Sequence, residues 1–144
     1  RSLALAQAAK ESAWGTSRFA VSAHNYFGQR CYSKGCGEVP DYRAPGAKFE
    51  VRRFDSPEAS VHSYMNNINS HPEYEGFRRY RATQRAMDLP LSGIQAAEQL
   101  IQYSERRQAY VDEIQSLIHF NRLDQPIEAT LDQVPPVTPA EATP

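Results

Sequence analysis

The segment Leu3-Ala4-Leu5-Ala6-Gln7-Ala8-Ala9-Lys10-Glu11-Ser12-Ala13-Trp14-Gly15 constrains this chain more than any other. Alanine loses no side-chain entropy on ordering and forms helix best, and glycine suits the position just past a helix end. The run therefore predicts a helix that stops at Gly15. Lys10 and Glu11 are its only charged residues. With alanine at most other positions, the strip Leu3, Gln7, Glu11 and Trp14 belongs to a tightly packed helix rather than to an open, charged surface.

Placed in the last turn of such a helix, Glu11 meets two effects of the same sign. Burial penalises the ionised carboxylate and the negative end of the helix dipole repels it, so its pKa is expected to rise. A carboxylic acid that keeps its proton near neutral pH can deliver it to a leaving oxygen, as the general acids of glycoside hydrolysis do. The same spacing also fits an unreactive residue on an amphipathic helix. Pattern alone leaves these two readings even.

A chain of 144 residues is one domain's worth of sequence and can build a single modest core. Its net charge of −1 supplies no basic field, and nucleic acid is not expected as a partner. No apolar run reaches the roughly 18 residues that a spanning helix needs, so no membrane span is expected. No targeting segment is visible either. Cys31 and Cys36 bracket Tyr-Ser-Lys-Gly, a turn-forming insert short enough to bring two Cα atoms within disulfide reach. A metal is the rival, but His24, His62, His71 and His119 are scattered, and none takes a zinc-ligand spacing with the pair. Two free thiols are the other alternative. The favoured reading is a local disulfide and an oxidising compartment such as a bacterial periplasm, with no metal or other cofactor.

Along the chain, Ser17 is placed to cap a short helix carrying Phe19, Ala20 and Ala23. Repeated Gly and Pro then break any helical period from Asn25 to Ala47. Lys48 to Phe54 alternates, with Phe49 and Val51 on one face, as an edge strand does; with residues near Val39 it predicts a small β-hairpin lobe. Ser56-Pro57 restarts helix, serine as cap and proline in the first turn, with Val61, Tyr64, Met65 and Ile68 as the apolar stripe. A basic helix follows with Phe77, Tyr80 and Met87 inward and Arg78 to Arg85 as a solvated face. Ser92 opens the next, bearing Ile94, Ala97, Leu100 and Ile101. Ser104 is read as the cap of the last, with Val111, Ile114, Leu117 and Ile118 inward. Residues 124–144 carry Pro126, Pro135, Pro136, Pro139 and Pro144 and few large apolar side chains, and read as a disordered tail or linker. The fold class is mainly α (α+β), with one domain over residues 1–123.

The ordered string Ala6-Gln7-Ala8-Ala9-x-Glu11-Ser12-x-Trp14-Gly15-x-Ser17, with Asn25-x-Phe27-Gly28 after it, resembles the signature of the glucosaminidases of glycoside hydrolase family 73. These are peptidoglycan hydrolases of the flagellar-rod and autolysin type. Cys31…Cys36 and Tyr64…Asn67-x-Asn69-x-His71-Pro72-x-Tyr74…Phe77-Arg78 resemble its Bax-like bacterial branch. The resemblance runs from Leu3 to Leu123. It implies a lysozyme-like architecture, a helical lobe and a small β lobe with a cleft between them, and one further helix upstream of residue 1.

The resemblance also implies roles. Glu11 becomes the acid facing the cleft. Family members set a second acidic residue in the β lobe ahead of a strand that here is Val51-Arg52-Arg53-Phe54; counting back without gaps lands on Glu38, with Asp41 and Glu50 as rivals. Inverting glycosidases hold their carboxyls roughly 6.5–9.5 Å apart to admit a water, and retaining ones about 5 Å apart. A carboxylate on a mobile loop suits the first, or a mechanism assisted by the substrate's own acetamido group. Tyr103, in Tyr103-Ser104-Glu105-Arg106, stands where the family carries a functional tyrosine in a Tyr-Ala-Thr-Asp-like turn, although the match departs after the tyrosine. Asn25, Tyr26, Phe27 and Gly28 resemble the element that lines the sugar site, since aromatic faces stack on sugars and an amide orients their polar groups. Asn25 can equally hold the loop backbone, and Phe27 can equally be core. Trp14 is expected as an apolar anchor behind Glu11.

The activity so implied is that of an endo-β-N-acetylglucosaminidase, a monomer acting on peptidoglycan glycan strands in the periplasm or outside the cell. The alternatives are a muramidase or lytic transglycosylase on the same fold, or a non-catalytic wall-binding module. Against a transglycosylase, the Gly-Leu-Met-Gln type of element is missing from the chain.

Overall fold

In the computed structural model, which describes residues 1–125, the alanine-rich run is a helix, α1 (Ser2–Ser12). It ends before the glycine. Ser12 Oγ donates to the Ala8 carbonyl (2.6 Å) and accepts from the Gly15 amide (2.7 Å). A serine that returns its hydroxyl to the preceding turn competes with continued helix. Ala13, Trp14 and Gly15 accordingly run left-handed, with φ of 50°, 57° and 80°. Ser17 then accepts the Ala20 amide at 3.2 Å and opens α2 (Arg18–Ala23), as its sequence predicts.

The β lobe is a three-stranded antiparallel sheet rather than a hairpin: β1 (Arg30–Cys31), β2 (Gly37–Glu38) and β3 (Glu50–Arg52), in the order β1-β3-β2. The strand expected at the edge is thus the central one. Val51 faces Arg30 on one side and Glu38 on the other. Cys31 and Cys36 are disulfide-bonded with Cα atoms 6.2 Å apart, which closes the turn between β1 and β2. Inside that turn the buried Glu50 carboxylate accepts the Gly35 and Gly37 amides, each at 2.9 Å. Those backbone donors hold its carboxyl below the usual carboxylate range. The turn is therefore tied twice, once covalently and once through Glu50. Reduction should raise the intact mass by two hydrogens, and loop entropy sets the stability lost at about 2 kcal/mol. A much larger loss in the melt of the reduced protein would show that the disulfide, not Glu50, carries the turn.

Helices return at α3 (Pro57–Ser70), whose cap Ser56 accepts the Ala59 amide. The buried row on α3 is Ser60, Tyr64 and Ile68; Val61 and Met65 lie one position around the helix and are exposed. Ser60 selects that face, because its hydroxyl accepts the Tyr26 amide and donates to Gln29 Oε1. A short 3-10 turn, Pro72–Tyr74, leads into α4 (Glu75–Ala86), with Phe77 buried and Met87, beyond the helix end, exposed. Ser92 caps α5 (Gly93–Ala97), which tightens into a 3-10 turn at Glu98–Leu100. Ser104 accepts the Arg106 amide but does not cap the last helix. That helix, α6 (Gln108–Phe120), begins after Arg107 at a φ of 54° and has no side-chain cap.

α1 packs on α5 and α6, where Leu3 and Ala6 share one core with Ala96, Ala97, Leu100, Val111, Ile114 and Ile118. The alanines matter here: a bulkier residue at Ala6, which is wholly buried, would overpack the junction. Among the described residues no helix is long and apolar enough to cross a membrane. The expected proline-rich tail lies outside the described residues from 126 onward.

Candidate active site

Glu11 sits in the last turn of α1, half-buried. Its pKa is raised, chiefly because burial disfavours the charge. Hydrogen bonding from Tyr110 and the Lys10 ammonium work the other way, while Glu113 adds to the rise. Lys10 is itself ion-paired with Glu113, which also binds Arg106 at 2.7 Å, so the nearest cation is largely committed elsewhere. Trp14 does not supply the apolar wall expected of it. The left-handed turn after Ser12 throws it outward, and it is 59% exposed.

What encloses Glu11 comes from distant segments. Gly28, at a φ of 66°, lies so close that a Cβ there would stand 3.2 Å from Glu11 Oε2. Behind the acid stand four packed aromatic rings. Phe27 stacks on Tyr64 (centroids 4.1 Å apart), Tyr64 meets Tyr103 edge-on (6.4 Å) and Tyr103 stacks on Tyr110 (5.6 Å). Buried polar atoms thread this cluster. Tyr64 donates to Gln7 Oε1 at 2.5 Å, and Gln7 Nε2 donates to the Tyr110 hydroxyl at 3.0 Å. Gln7 is on the same helix face as Glu11, one turn earlier.

In front of the acid an open pocket lies between the ends of α1 and α2 and the sheet. It is lined by Glu11, Phe19, Asn25, Gly28, Arg30, Pro40, Tyr42, Phe49 and Val51. Glu11 is the only carboxylate among these. Arg30 lays its guanidinium over the Phe49 ring, 4.1 Å from the centroid, and Tyr42 is fully exposed at the rim. A carboxyl with a raised pKa, a guanidinium and aromatic rings around one pocket suit a neutral, hydroxyl-rich ligand with a leaving oxygen to protonate.

The structure brings Tyr103 and Gly28 to the acid. The Tyr103 hydroxyl donates to the Phe27 carbonyl at 3.2 Å and so pins the loop that covers Glu11. Burial, with the nearby charge of Glu11 contributing, pushes its own pKa well above that of a free phenol. Asn25 lines the pocket but spends its amide on backbone: Nδ2 donates to the Gln29 and Arg52 carbonyls, and Oδ1 accepts the Gln29 amide. Phe27 is core, and Tyr26 is half-buried with its ring against Gly15. Glu38 does not line the pocket. One of its oxygens pairs with Arg53 at 2.9 Å and the other accepts from Ser22 at 3.0 Å. Its rivals are also engaged, Asp41 with Arg18 and Glu50 within the disulfide turn. Sequence reasoning missed Tyr110, Arg30 and Tyr42; only the position of Gln7 one turn before Glu11 pointed toward the buried network.

Residues 1–123 match the glucosaminidase family model, described as mannosyl-glycoprotein endo-beta-N-acetylglucosaminidase. The chain is also similar to Protein bax of Escherichia coli (strain K12), with 35% identity over 109 residues, or 76% of this chain. The match spans 38% of that relative's length. No solved structure matches the chain. A family match across the whole helical and sheet region, with Glu11 and its pocket inside it, is decisive: the chain belongs to the glucosaminidases of glycoside hydrolase family 73 and is of their Bax-like type.

Proposed function

We propose that this domain is an exported peptidoglycan hydrolase, an endo-β-N-acetylglucosaminidase with Glu11 as general acid. The observation that carries the reading is the Glu11 carboxyl itself, held half-buried with a raised pKa at the wall of an open pocket. Glu11 delivers its proton to the glycosidic oxygen as the bond to the anomeric carbon breaks, and positive charge builds on the sugar ring. The family supports peptidoglycan as the substrate class, and the disulfide supports an oxidising compartment such as the periplasm. A lysozyme-like division into helical and β lobes fits the position of the pocket between α1, α2 and the sheet.

Digestion of purified sacculi, followed by mass spectrometry of the released muropeptides, tests the bond. Reducing-end N-acetylglucosamine supports this reading. Reducing-end N-acetylmuramic acid would make the protein a muramidase, an anhydro end would make it a transglycosylase, and binding without release would make it a wall-binding module.

For the second group, Glu38 can act as base only by leaving Arg53 and Ser22 when glycan enters. The lack of a second carboxylate among the lining residues favours the alternative in which the substrate's acetamido oxygen attacks the anomeric carbon. Glu38→Gln separates the two: a loss of about 10²-fold in a folded variant supports the base, and a rate within a few-fold of wild type supports acetamido assistance. Tyr103→Phe frees the Phe27 carbonyl and lets the covering loop drift, so turnover should fall by about 10-fold to 10²-fold on either route.

A further inference from the structure

We propose that Tyr110 is a positioning residue for Glu11, held in the donor role by a buried chain that runs from Tyr64 through Gln7. This rests on Glu11 being the acid. Gln7 is a wholly buried polar side chain flanked by alanines, and so needs a reason to be there. Its amide has two partners, Tyr64 and Tyr110, each a hydroxyl that can donate once and accept.

Donor bookkeeping fixes the direction. Tyr64 is 1% exposed, and its hydroxyl proton goes to Gln7 Oε1. Turning the amide over would set Nε2 against Tyr64 and strand that proton in the core. With Oε1 committed to Tyr64, Nε2 must face Tyr110, whose oxygen then accepts and whose own proton is left over. Glu11 follows Gln7 by one turn on the same face of α1, so its carboxyl is the next polar group along that face from the Tyr110 hydroxyl, and hydrogen bonding from Tyr110 is among the causes that act on its pKa. Bonding one carboxyl oxygen orients the group and leaves the acidic proton to the other.

The consequence is kinetic. Transfer of the proton to the leaving oxygen turns Glu11 into a carboxylate, and a donor already aimed at it stabilises the charge as it forms. The other groups facing Glu11 do not substitute. Lys10 of α1 is paired with Glu113 of α6, Tyr103 donates to the Phe27 carbonyl, Gly28 has no side chain, and Arg30 of β1 lies over Phe49 across the pocket.

The test follows the Glu11 carboxyl directly by carbon-13 NMR titration, alongside the pH dependence of sacculus clearing. In Tyr110→Phe, which keeps the ring, the Glu11 midpoint should move up by about one pH unit, the size of one hydrogen bond to a charged group. The alkaline limb of kcat/KM should move with it, and turnover should fall by about 10-fold. Tyr64→Phe frees the amide to turn and should shift both in the same direction by less; it decides the matter if Tyr110→Phe does not fold. Tyr74→Phe, in the same aromatic cluster but outside the chain, should move neither. An unmoved Glu11 midpoint in a folded Tyr110→Phe protein overturns the proposal, as does an equal shift in Tyr74→Phe. Because the titration does not depend on turnover, failure of the acid assignment reads differently: Glu11→Gln would still clear sacculi.

Discussion

Glu11→Gln should clear sacculi at least about 10²-fold more slowly than wild type, the lower end of what general acid catalysis contributes. It should also be the more stable protein at neutral pH. The folded-state pKa of Glu11 lies above its unfolded value because burial disfavours the charge. Between those two pKa values the folded chain binds more protons than the unfolded one, so wild-type stability falls as pH rises through the window and then levels off. Glutamine has no proton to lose. The melting temperature of the variant should match wild type below about pH 4, where the unfolded acid is also neutral, and exceed it progressively above. Near-normal clearing by a folded variant would remove Glu11 from the mechanism, and equal melting curves at every pH would remove burial as the reason for its raised pKa.

The largest loss of stability is expected at Gly37. A Cβ at this position would stand 1.9 Å from the Val51 carbonyl oxygen and 2.6 Å from its carbon. Both are backbone atoms of the central strand, so nothing can swing aside. Gly37→Ala must therefore separate β2 from β3, breaking the pairing of Gly37 with Arg52 and pulling the Gly37 amide from Glu50. Overpacking of this kind costs about 3 kcal/mol, or about 10 °C in melting temperature for a domain of this size. Thermal melts check it directly. Gly35→Ala provides the contrast within the same turn: nothing crowds its Cβ, so its cost is the strain of a φ of 82° alone. Equal losses at the two positions would mean that the crowding against Val51 is not what matters.

Much of this protein is written locally. Ser17, Ser56 and Ser92 each cap a helix three residues before the amide they accept, and a rule of that reach can be applied without the fold. The same holds for the alanine-rich helix, the acid in its last turn, and two cysteines spaced to meet across one turn. Local rules failed where a competing bond lay equally close. Ser12 ended α1 early by returning its hydroxyl to Ala8, which turned Trp14 out to solvent instead of behind Glu11.

The remainder was decided only when distant segments met. Asn25 had the chemistry to bind a sugar, but β3 arrives from 27 residues away and takes its amide through the Arg52 carbonyl. Glu38 has the right charge and its place in the β lobe, yet Arg53 on the neighbouring segment and Ser22 of α2 claim both its oxygens. Gln7 reads as one polar residue in a helix until Tyr64 and Tyr110, 57 and 103 positions along the chain, close on its two ends. The sequence by itself determined the helix that carries Glu11 and the place of that carboxyl in its last turn, because helix propensity acts locally. Which groups surround that acid, orient it and bury it was left to the tertiary structure, because burial and hydrogen-bond partnership are properties of whole segments brought together.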